Sequence, residues 1–168
     1  MAVGFFSFPN PVNHTAARLV AAGVVLIDVV ALSTGALWLS ALLAYGFVAR
    51  VAAGPRLDPL GRAAVALAPR IHPGAPLVPG PPKRFAQSLG ALFTLAALAC
   101  LLAGENAATT VLLALLLVPA VLEAGFGYCL GCELFAIGMR FGLVPESICV
   151  ECADLYSARA AERRMSRR

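Results

Sequence analysis

Residues 19–49 read LVAAGVVLIDVVALSTGALWLSALLAYGFVA, and this stretch decides the fold. Asp28 is its only charged residue. As one helix the stretch would be about 46 Å long at 1.5 Å per residue, whereas the hydrocarbon core of a bilayer is only about 30 Å thick. The sequence STG at residues 33–35 lies near the middle and is typical of a turn. We therefore predict a hairpin of two membrane-spanning helices, over residues 14–33 and 36–53.

The composition of the whole chain agrees with a membrane protein. Of its 168 residues 60% are hydrophobic and 13% charged, and the mean hydropathy is +0.84, which is outside the range of ordinary soluble domains. The formal net charge is +4. Because the basic residues flank apolar runs, we expect them to meet lipid headgroups, and we expect no nucleic-acid partner.

Two more apolar runs, over residues 85–103 and 109–128, predict a second pair of spanning helices. The predicted fold is an all-α membrane protein with four transmembrane helices in two hairpins. It has four parts: an N-terminal hairpin at 1–53, a cytoplasmic loop with an amphipathic surface helix at 54–84, a second transmembrane hairpin at 85–128, and a cytoplasmic four-cysteine segment with a basic tail at 129–168.

Local signals refine these boundaries. Asn13 is a candidate cap of the first helix, and Asp58 followed by Pro59 predicts the start of the surface helix. The proline-rich residues 73–82 are expected not to be helical. Lys83 would then hold the third span at the headgroups. A short apolar helix is expected over 133–141, after the first cysteines.

The distribution of basic residues predicts the orientation. The 50–84 loop carries six Lys or Arg residues and the tail from residue 129 carries six Arg, whereas the 104–108 turn carries none. Basic loops stay in the cytoplasm. We therefore expect a multi-pass protein of the cytoplasmic membrane with a cytoplasmic C-terminus. The N-terminus lies on the same side only if the first hydrophobic region crosses twice rather than once.

Four of the five cysteines form two CxxC pairs, Cys129/Cys132 and Cys149/Cys152, sixteen residues apart. This spacing allows one tetrahedral metal ion to take all four thiolates, with zinc as the first candidate and iron as a less favoured one. A dithiol relay can use the same layout. Since the cytoplasm is reducing, a structural disulfide is the weaker reading.

Each candidate residue has a functional and a structural interpretation. Cys149, expected at the start of a helix after Pro145, is the predicted attacking thiolate. Glu123 is either a proton relay to a thiol or a side chain that reaches the headgroups or an arginine. Asp28 would handle protons, contact a partner subunit, or face the hydroxyls of Ser40 or Thr94.

Three motifs together resemble a known family: FPNPVN at residues 8–13, PGPPKRFAQ at 79–87 and FGYCLGC at 126–132. It is a family of uncharacterised bacterial integral-membrane proteins, common in actinobacteria and labelled only as a domain of unknown function. Its members are often encoded near thioredoxin-like and rhodanese-type sulfurtransferase proteins. The resemblance therefore implies thiol or sulfur chemistry, and it gives no single residue a role.

Two functional hypotheses follow. In the first, the four cysteines act in thiol–disulfide exchange or sulfur transfer with a soluble thioredoxin- or rhodanese-like partner. In the second, the chain is a non-enzymatic accessory or scaffold subunit of a membrane complex, and the four cysteines hold a structural zinc ion.

Overall fold

The computed structural model describes residues 8–145, 148 and 149, and within them the protein is all-α apart from one two-residue strand pair. The strands β1 (Val12–Asn13) and β2 (Leu77–Val78) are antiparallel. The helices are α1 (His14–Thr34), α2 (Leu37–Ala53), α3 (Pro59–Ile71), α4 (Gly80–Leu102), α5 (Asn106–Phe126) and α6 (Leu130–Arg140).

Four of these helices are long and apolar enough to cross a membrane: α1, α4, α5, and α2 together with the single 3-10 turn (Gly54–Arg56) that continues it. The protein is therefore a multi-pass membrane protein, as the sequence predicts. The first hairpin turns where expected, because α1 ends at Gly35 in the left-handed conformation (φ 64°). The Gly35 N–H donates to the Ala31 carbonyl at 2.9 Å, which completes the last turn of α1.

The four spanning helices form an antiparallel bundle in which α1 packs on α5, α2 on α4, and α4 on α5. Its core contains apolar side chains from all four helices, including Val24, Leu43, Phe47, Ala97 and Leu113. Gly90 makes the α2–α4 contact possible. A Cβ atom there would lie 2.1 Å from Cε1 of Phe47, so any larger residue would push the ring out of the core.

The basic residues of the bundle lie at one end, which we call the basic end. It comprises the first turns of α1 and α4, the last turns of α2 and α5, and the helices α3 and α6. Every lysine and arginine of the described residues belongs to these parts or, in the case of Arg56, to the short connection between α2 and α3. At the opposite end the chain turns at Gly35 and Gly104, where the charged residue is Glu105.

The N-terminal motif FPNPVN fastens the basic end. Asn13 caps α1 as predicted, because its Oδ1 accepts a hydrogen bond from the Ala16 N–H at 3.0 Å. Asn10 does the same for α4, since its Oδ1 accepts from the Gly80 N–H at 2.8 Å. Pro9 packs against Gly54, where a Cβ atom would lie 2.5 Å from the proline ring.

The surface helix α3 begins where the sequence predicts. Asp58 accepts from the Gly61 N–H at 2.8 Å, and Pro59 occupies the first helical position. Asp58 also forms a buried ion pair with Arg50 of α2 at 2.6 Å. The Arg50 guanidinium lies 4.5 Å above the Phe47 ring. This network ties α3 to the bundle.

Three helix starts differ from the prediction. The helix α4 begins at Gly80 rather than at residue 85, because prolines in a first turn remove no helical hydrogen bond. The helix α5 begins at Asn106 rather than at 109, and α6 begins at Leu130 rather than at 133. The last difference matters most, because it places the first CxxC pair in the opening turn of a helix.

Candidate functional site

The first CxxC pair occupies the start of α6, immediately after the end of α5. Gly127 closes α5 in the left-handed conformation (φ 69°), and its N–H donates to the Glu123 carbonyl at 3.0 Å. Cys129 then takes an extended conformation as the residue before α6, and its carbonyl accepts from the Cys132 N–H at 3.1 Å. Residues three apart in a helical turn are neighbours, so the two thiols lie side by side.

The two thiols have opposite acidities. The hydrogen bond from the Cys132 thiol to the sulfur of Cys129 lowers the pKa of Cys129. Burial and the negative charge of Glu123 raise this pKa, the positive charge of Lys83 lowers it, and the net shift is downward. The pKa of Cys132 is raised, first by this hydrogen bond and then by burial and by the negative charge on Cys129. Of the two thiols, Cys129 therefore loses its proton at the lower pH, and Cys132 keeps its proton.

A buried ion pair lies next to the thiols. Lys83 of α4 is only 6% exposed, and its ammonium group donates to Oε1 of Glu123 on α5. The electrostatic neighbours of Lys83 include both Cys129 and Cys132. The predicted role of Lys83 at the headgroups is therefore wrong, because the early start of α4 turns this side chain into the protein. The predicted reach of Glu123 to headgroups or an arginine is also wrong, because its partner is Lys83.

Gly131 brings the thiol pair to this position. A Cβ atom on Gly131 would lie 2.5 Å from Cβ and 2.7 Å from Cα of Ala86, so α6 touches the backbone of α4 through this glycine. Ala86 follows Lys83 by three residues and so shares its face of α4. One turn along α6, the ring centroids of Phe135 and Phe85 are 5.8 Å apart. The middle of the CLGC sequence thus sets the distance between the thiols and the lysine.

The first turns of α1 hold the α5–α6 connection. Arg18 donates to the carbonyls of Ala124 at 3.1 Å and Gly125 at 2.7 Å, where the end of α5 carries partial negative charge. His14 donates to the Gly127 carbonyl at 3.4 Å. These bonds fix the segment that leads into Cys129.

A cavity of about 350 Å³ begins at Cys129 and extends into the bundle. Side chains of α1, α2, α4, α5 and α6 line it. Cys129 and Glu123 lie at its basic end, and Val24, Phe47 and Phe93 lie deeper. The lining is apolar apart from its thiol end, where Gln87 contributes an amide group.

The second CxxC pair is only half within the described residues. Cys149 is buried and packs against Phe135 and Met139 of α6. Cys149 is disulfide-bonded in this structure, so it does not present the free thiolate that the sequence predicts there, whereas Cys100, Cys129 and Cys132 are free thiols. Cys152 lies outside the described residues. Among residues 8–145, 148 and 149, no three His, Cys, Asp or Glu side chains are grouped so as to hold a metal ion.

Asp28 lies in the middle of α1 and is 0% exposed. Within the described part of the chain, neither carboxyl oxygen has a hydrogen-bond partner. The predicted contact with Ser40 or Thr94 is therefore not made, although both of these hydroxyl side chains are buried. The Thr94 hydroxyl donates to the Gly90 carbonyl of its own helix instead, at 2.8 Å.

Sequence reasoning missed two residues of the site, Lys83 and Gly131, and did not assign Gln87. The signal for Lys83 was available, because α5 carries a single acidic residue at the same end of the bundle as this lysine. The contact of Gly131 with α4 had no such signal, because the predicted helix began at residue 133 and the contact joins two helices.

Comparison with known proteins identifies the family and nothing more specific. The family described as Domain of unknown function (DUF4395) matches residues 12–140, so the chain belongs to this family. The resemblance to an uncharacterised family is thereby confirmed. No curated protein and no solved structure matches the chain.

Proposed function

We propose that this DUF4395 protein is a membrane-bound thiol–disulfide exchange protein, and that Cys129 and Cys132 carry the exchange with a soluble thioredoxin-like partner. The asymmetry of the pair is the observation that supports it. An exchange site needs one thiolate to attack and one thiol to resolve the mixed disulfide. The lowered pKa of Cys129 and the raised pKa of Cys132 provide this combination.

The reaction proceeds in two displacements. The Cys129 thiolate attacks one sulfur of a partner disulfide, which forms a mixed disulfide and releases the other partner sulfur as a thiol after it takes a proton. Cys132 then loses its proton and attacks the Cys129 sulfur. The products are a Cys129–Cys132 disulfide and the second partner thiol, so two electrons pass to the partner. The reverse sequence oxidises a partner dithiol.

Lys83 and Glu123 serve different steps of this reaction. The Lys83 ammonium stabilises the thiolate of Cys129 before the attack. The Glu123 carboxylate is the nearby base that accepts the Cys132 proton in the second step. Because Lys83 and Glu123 form an ion pair, proton transfer to Glu123 also weakens the attraction between these two side chains.

The location of the site follows from the basic end. Lysine and arginine are concentrated at this end, and cytoplasmic loops carry such an excess. We place the thiols at the cytoplasmic face of a bacterial inner membrane, with the C-terminus on the same side. A soluble partner therefore reaches them from the cytoplasm.

The test uses the full-length protein in detergent and an oxidised soluble thioredoxin-fold protein as the probe. We expect Cys132→Ser to accumulate a mixed disulfide with the probe, because the resolving thiol is lost, and Cys129→Ser to form none. Cys100→Ser is the matched control, because Cys100 is a free thiol on α4 outside the site, and it should behave like the wild type.

Other outcomes would redirect the assignment. Equal trapping by Cys129→Ser and Cys132→Ser would contradict the proposed roles. A persulfide on Cys129 after incubation with a sulfane-sulfur donor, with no mixed disulfide, would favour sulfur transfer to a rhodanese-like partner. About one zinc per chain, with thiols protected from alkylation, would favour the scaffold hypothesis with zinc held by Cys129, Cys132, Cys149 and Cys152.

A further inference from the structure

We propose that the cavity beneath Cys129 binds a membrane quinone, which accepts two electrons and two protons from the Cys129/Cys132 dithiol. This inference rests on the proposed exchange function and names its second substrate. The arguments are the position of the cavity, the side on which it opens, and the few polar groups in its lining.

The cavity has a volume and a length that suit a ring with an apolar tail. Its volume of about 350 Å³ is within the range of small-molecule pockets, roughly 300–1,000 Å³. Along α5 its lining runs from Glu123 to Leu115, a length of about 12 Å at 1.5 Å per residue. Cys129 lines the same cavity, so a ring at its basic end lies next to the reactive sulfur.

The cavity opens toward lipid. Leu115 and Val118 of α5 line it and are 53% and 56% exposed, and both belong to a helix that is long and apolar enough to span the membrane. The hydrocarbon of a bilayer covers such a surface. Leu134 of α6 also lines the cavity and is exposed. A ligand that dissolves in the membrane can therefore reach the thiols without crossing water.

The polar groups at the thiol end fit quinone oxygens. The side-chain carbonyl of Gln87 accepts a hydrogen bond from Nε of Arg50 at 2.8 Å. This leaves the NH₂ group of Gln87 to donate a hydrogen bond to a ligand. Glu123 is the proton-handling group at the same end. A lipid acyl chain would use neither group, because it has no hydrogen-bonding atoms along its length. The lining therefore favours a ligand with carbonyl oxygens on an otherwise apolar body.

The reaction balances without a further reactant. The two S–H bonds of Cys129 and Cys132 break and one S–S bond forms. The two electrons and two protons reduce the quinone to the quinol, with one O–H bond formed at each carbonyl oxygen. A soluble dithiol then reduces the Cys129–Cys132 disulfide by exchange. Electrons thus pass from the soluble partner to the membrane pool.

The test uses the full-length protein in nanodiscs, and the probes are a benzoquinone and a naphthoquinone that each carry a decyl chain. The readouts are quinone binding, loss of quinone absorbance, and loss of free thiols at Cys129 and Cys132. Ala120→Phe fills the cavity, because Ala120 lines it. Val121→Phe is the matched control, because Val121 neighbours it on α5 but is exposed and does not line the cavity.

We expect at least one quinone to bind and to oxidise the wild-type dithiol. Ala120→Phe should lower the rate of quinone-dependent oxidation about tenfold or more, which corresponds to about 1.4 kcal/mol, while Val121→Phe leaves it unchanged. Both variants should react normally with a small water-soluble disulfide. This second reaction shows that the thiols of the variants are intact.

The inference and the proposed function fail in different ways. If the wild type exchanges with soluble disulfides but neither quinone binds or is reduced, the quinone inference is overturned and the exchange function stands. The quinone inference is also overturned if phospholipid chains occupy the cavity and neither quinone displaces them. If Cys129→Ser exchanges disulfides as fast as the wild type, the exchange function itself is wrong.

Discussion

Replacing Lys83 by methionine separates the electrostatic role of the buried ion pair from its structural role. Methionine has a similar length but no charge. The substitution leaves Glu123 without its partner, in a place where the two side chains are only 8% and 15% exposed. Breaking a buried pair by removing one member costs about 3–5 kcal/mol, and we expect the lower end because Glu123 retains some contact with solvent.

The same substitution should change the reactivity of Cys129. The thiolate loses the Lys83 cation, which lowers the pKa of Cys129, and keeps the Glu123 anion, which raises it. We expect the alkylation rate of Cys129 at pH 7 to fall about tenfold, the change that roughly 1.4 kcal/mol of lost electrostatic stabilisation produces. The measurement is the rate of iodoacetamide labelling in a Cys100→Ser background, with mass spectrometry to identify the labelled residue.

The double variant Lys83→Met/Glu123→Leu provides the critical comparison. Replacing a buried ion pair by apolar residues of similar volume is often neutral for stability or stabilising by about 1–4 kcal/mol. We therefore expect the double variant to unfold like the wild type. We expect Cys129 in it to be alkylated at least as fast as in the wild type, because the Glu123 anion raises the pKa of Cys129 more than the Lys83 cation lowers it. If the double variant is as unstable as the single one, or if Lys83→Met leaves alkylation unchanged, the assigned role of Lys83 is wrong.

Three other perturbations give direct readouts. Because the folded-state pKa of Cys129 is lowered, Cys129 should already be alkylated fast below pH 9 while Cys132 stays unlabelled. The stability that Cys129 contributes should be present above its unfolded pKa of about 8.5 and lost as pH falls through its folded pKa. Equal labelling of both thiols at every pH would contradict the difference between them. Gly131→Ala should destabilise the protein by about 1–3 kcal/mol and slow disulfide exchange, because its methyl group would overlap Ala86. Gly125→Ala is the control and should do neither, because its methyl group meets no atom within 4 Å. The measurements are the free energy of unfolding in detergent and the rate of disulfide exchange. Asp28→Val should stabilise the bundle by about 1–3 kcal/mol in the same unfolding assay, because the substitution removes a buried carboxyl group that has no hydrogen bond. A destabilised variant would show instead that Asp28 has a partner.

The spanning helices could be predicted because their signal is local and long. A bilayer demands about 20 apolar residues per crossing. The runs at 85–103 and 109–128 are about this long, and the 31 residues of 19–49 are too many for one crossing. The split of the first run also followed from local chemistry, since Gly35 is free to adopt a positive φ. The start of α3 at Asp58 and Pro59 is a third local signal that proved correct.

Helix starts after proline and glycine were harder to predict. Pro81 and Pro82 argued against helix, but in a first turn they cost nothing, and Asn10 satisfies the Gly80 N–H from 70 residues away in the sequence. No local pattern contains that contact. The role of Lys83 was mispredicted for the same reason, because Lys83 is buried only if α4 begins at a residue before it.

The candidate site could be predicted as a set of residue types but not as an arrangement. The spacing of the cysteines marked both pairs, and Glu123 was near enough to Cys129 in sequence to be considered. The contacts that decide the chemistry join α4, α5 and α6, and they depend on Gly131 resting on Ala86. Such a contact between helices is a property of packing, which the periodicity of a single helix does not reveal.

The two buried ion pairs of the basic end have different explanations. Arg50–Asp58 has architectural reasons to exist, since Asp58 caps α3 and Arg50 lies above the Phe47 ring and binds Gln87. Lys83 has no such second contact among the described residues; its hydrogen bond is to Glu123 and its other electrostatic neighbours are the two thiols.

Stability alone does not account for a buried pair of this kind, because apolar residues of similar volume would serve as well. What apolar residues would not supply is a positive charge beside Cys129 and a base beside Cys132. The pair lies next to one thiol of lowered pKa and one of raised pKa, which is the position that the proposed exchange function requires and that packing of the bundle does not.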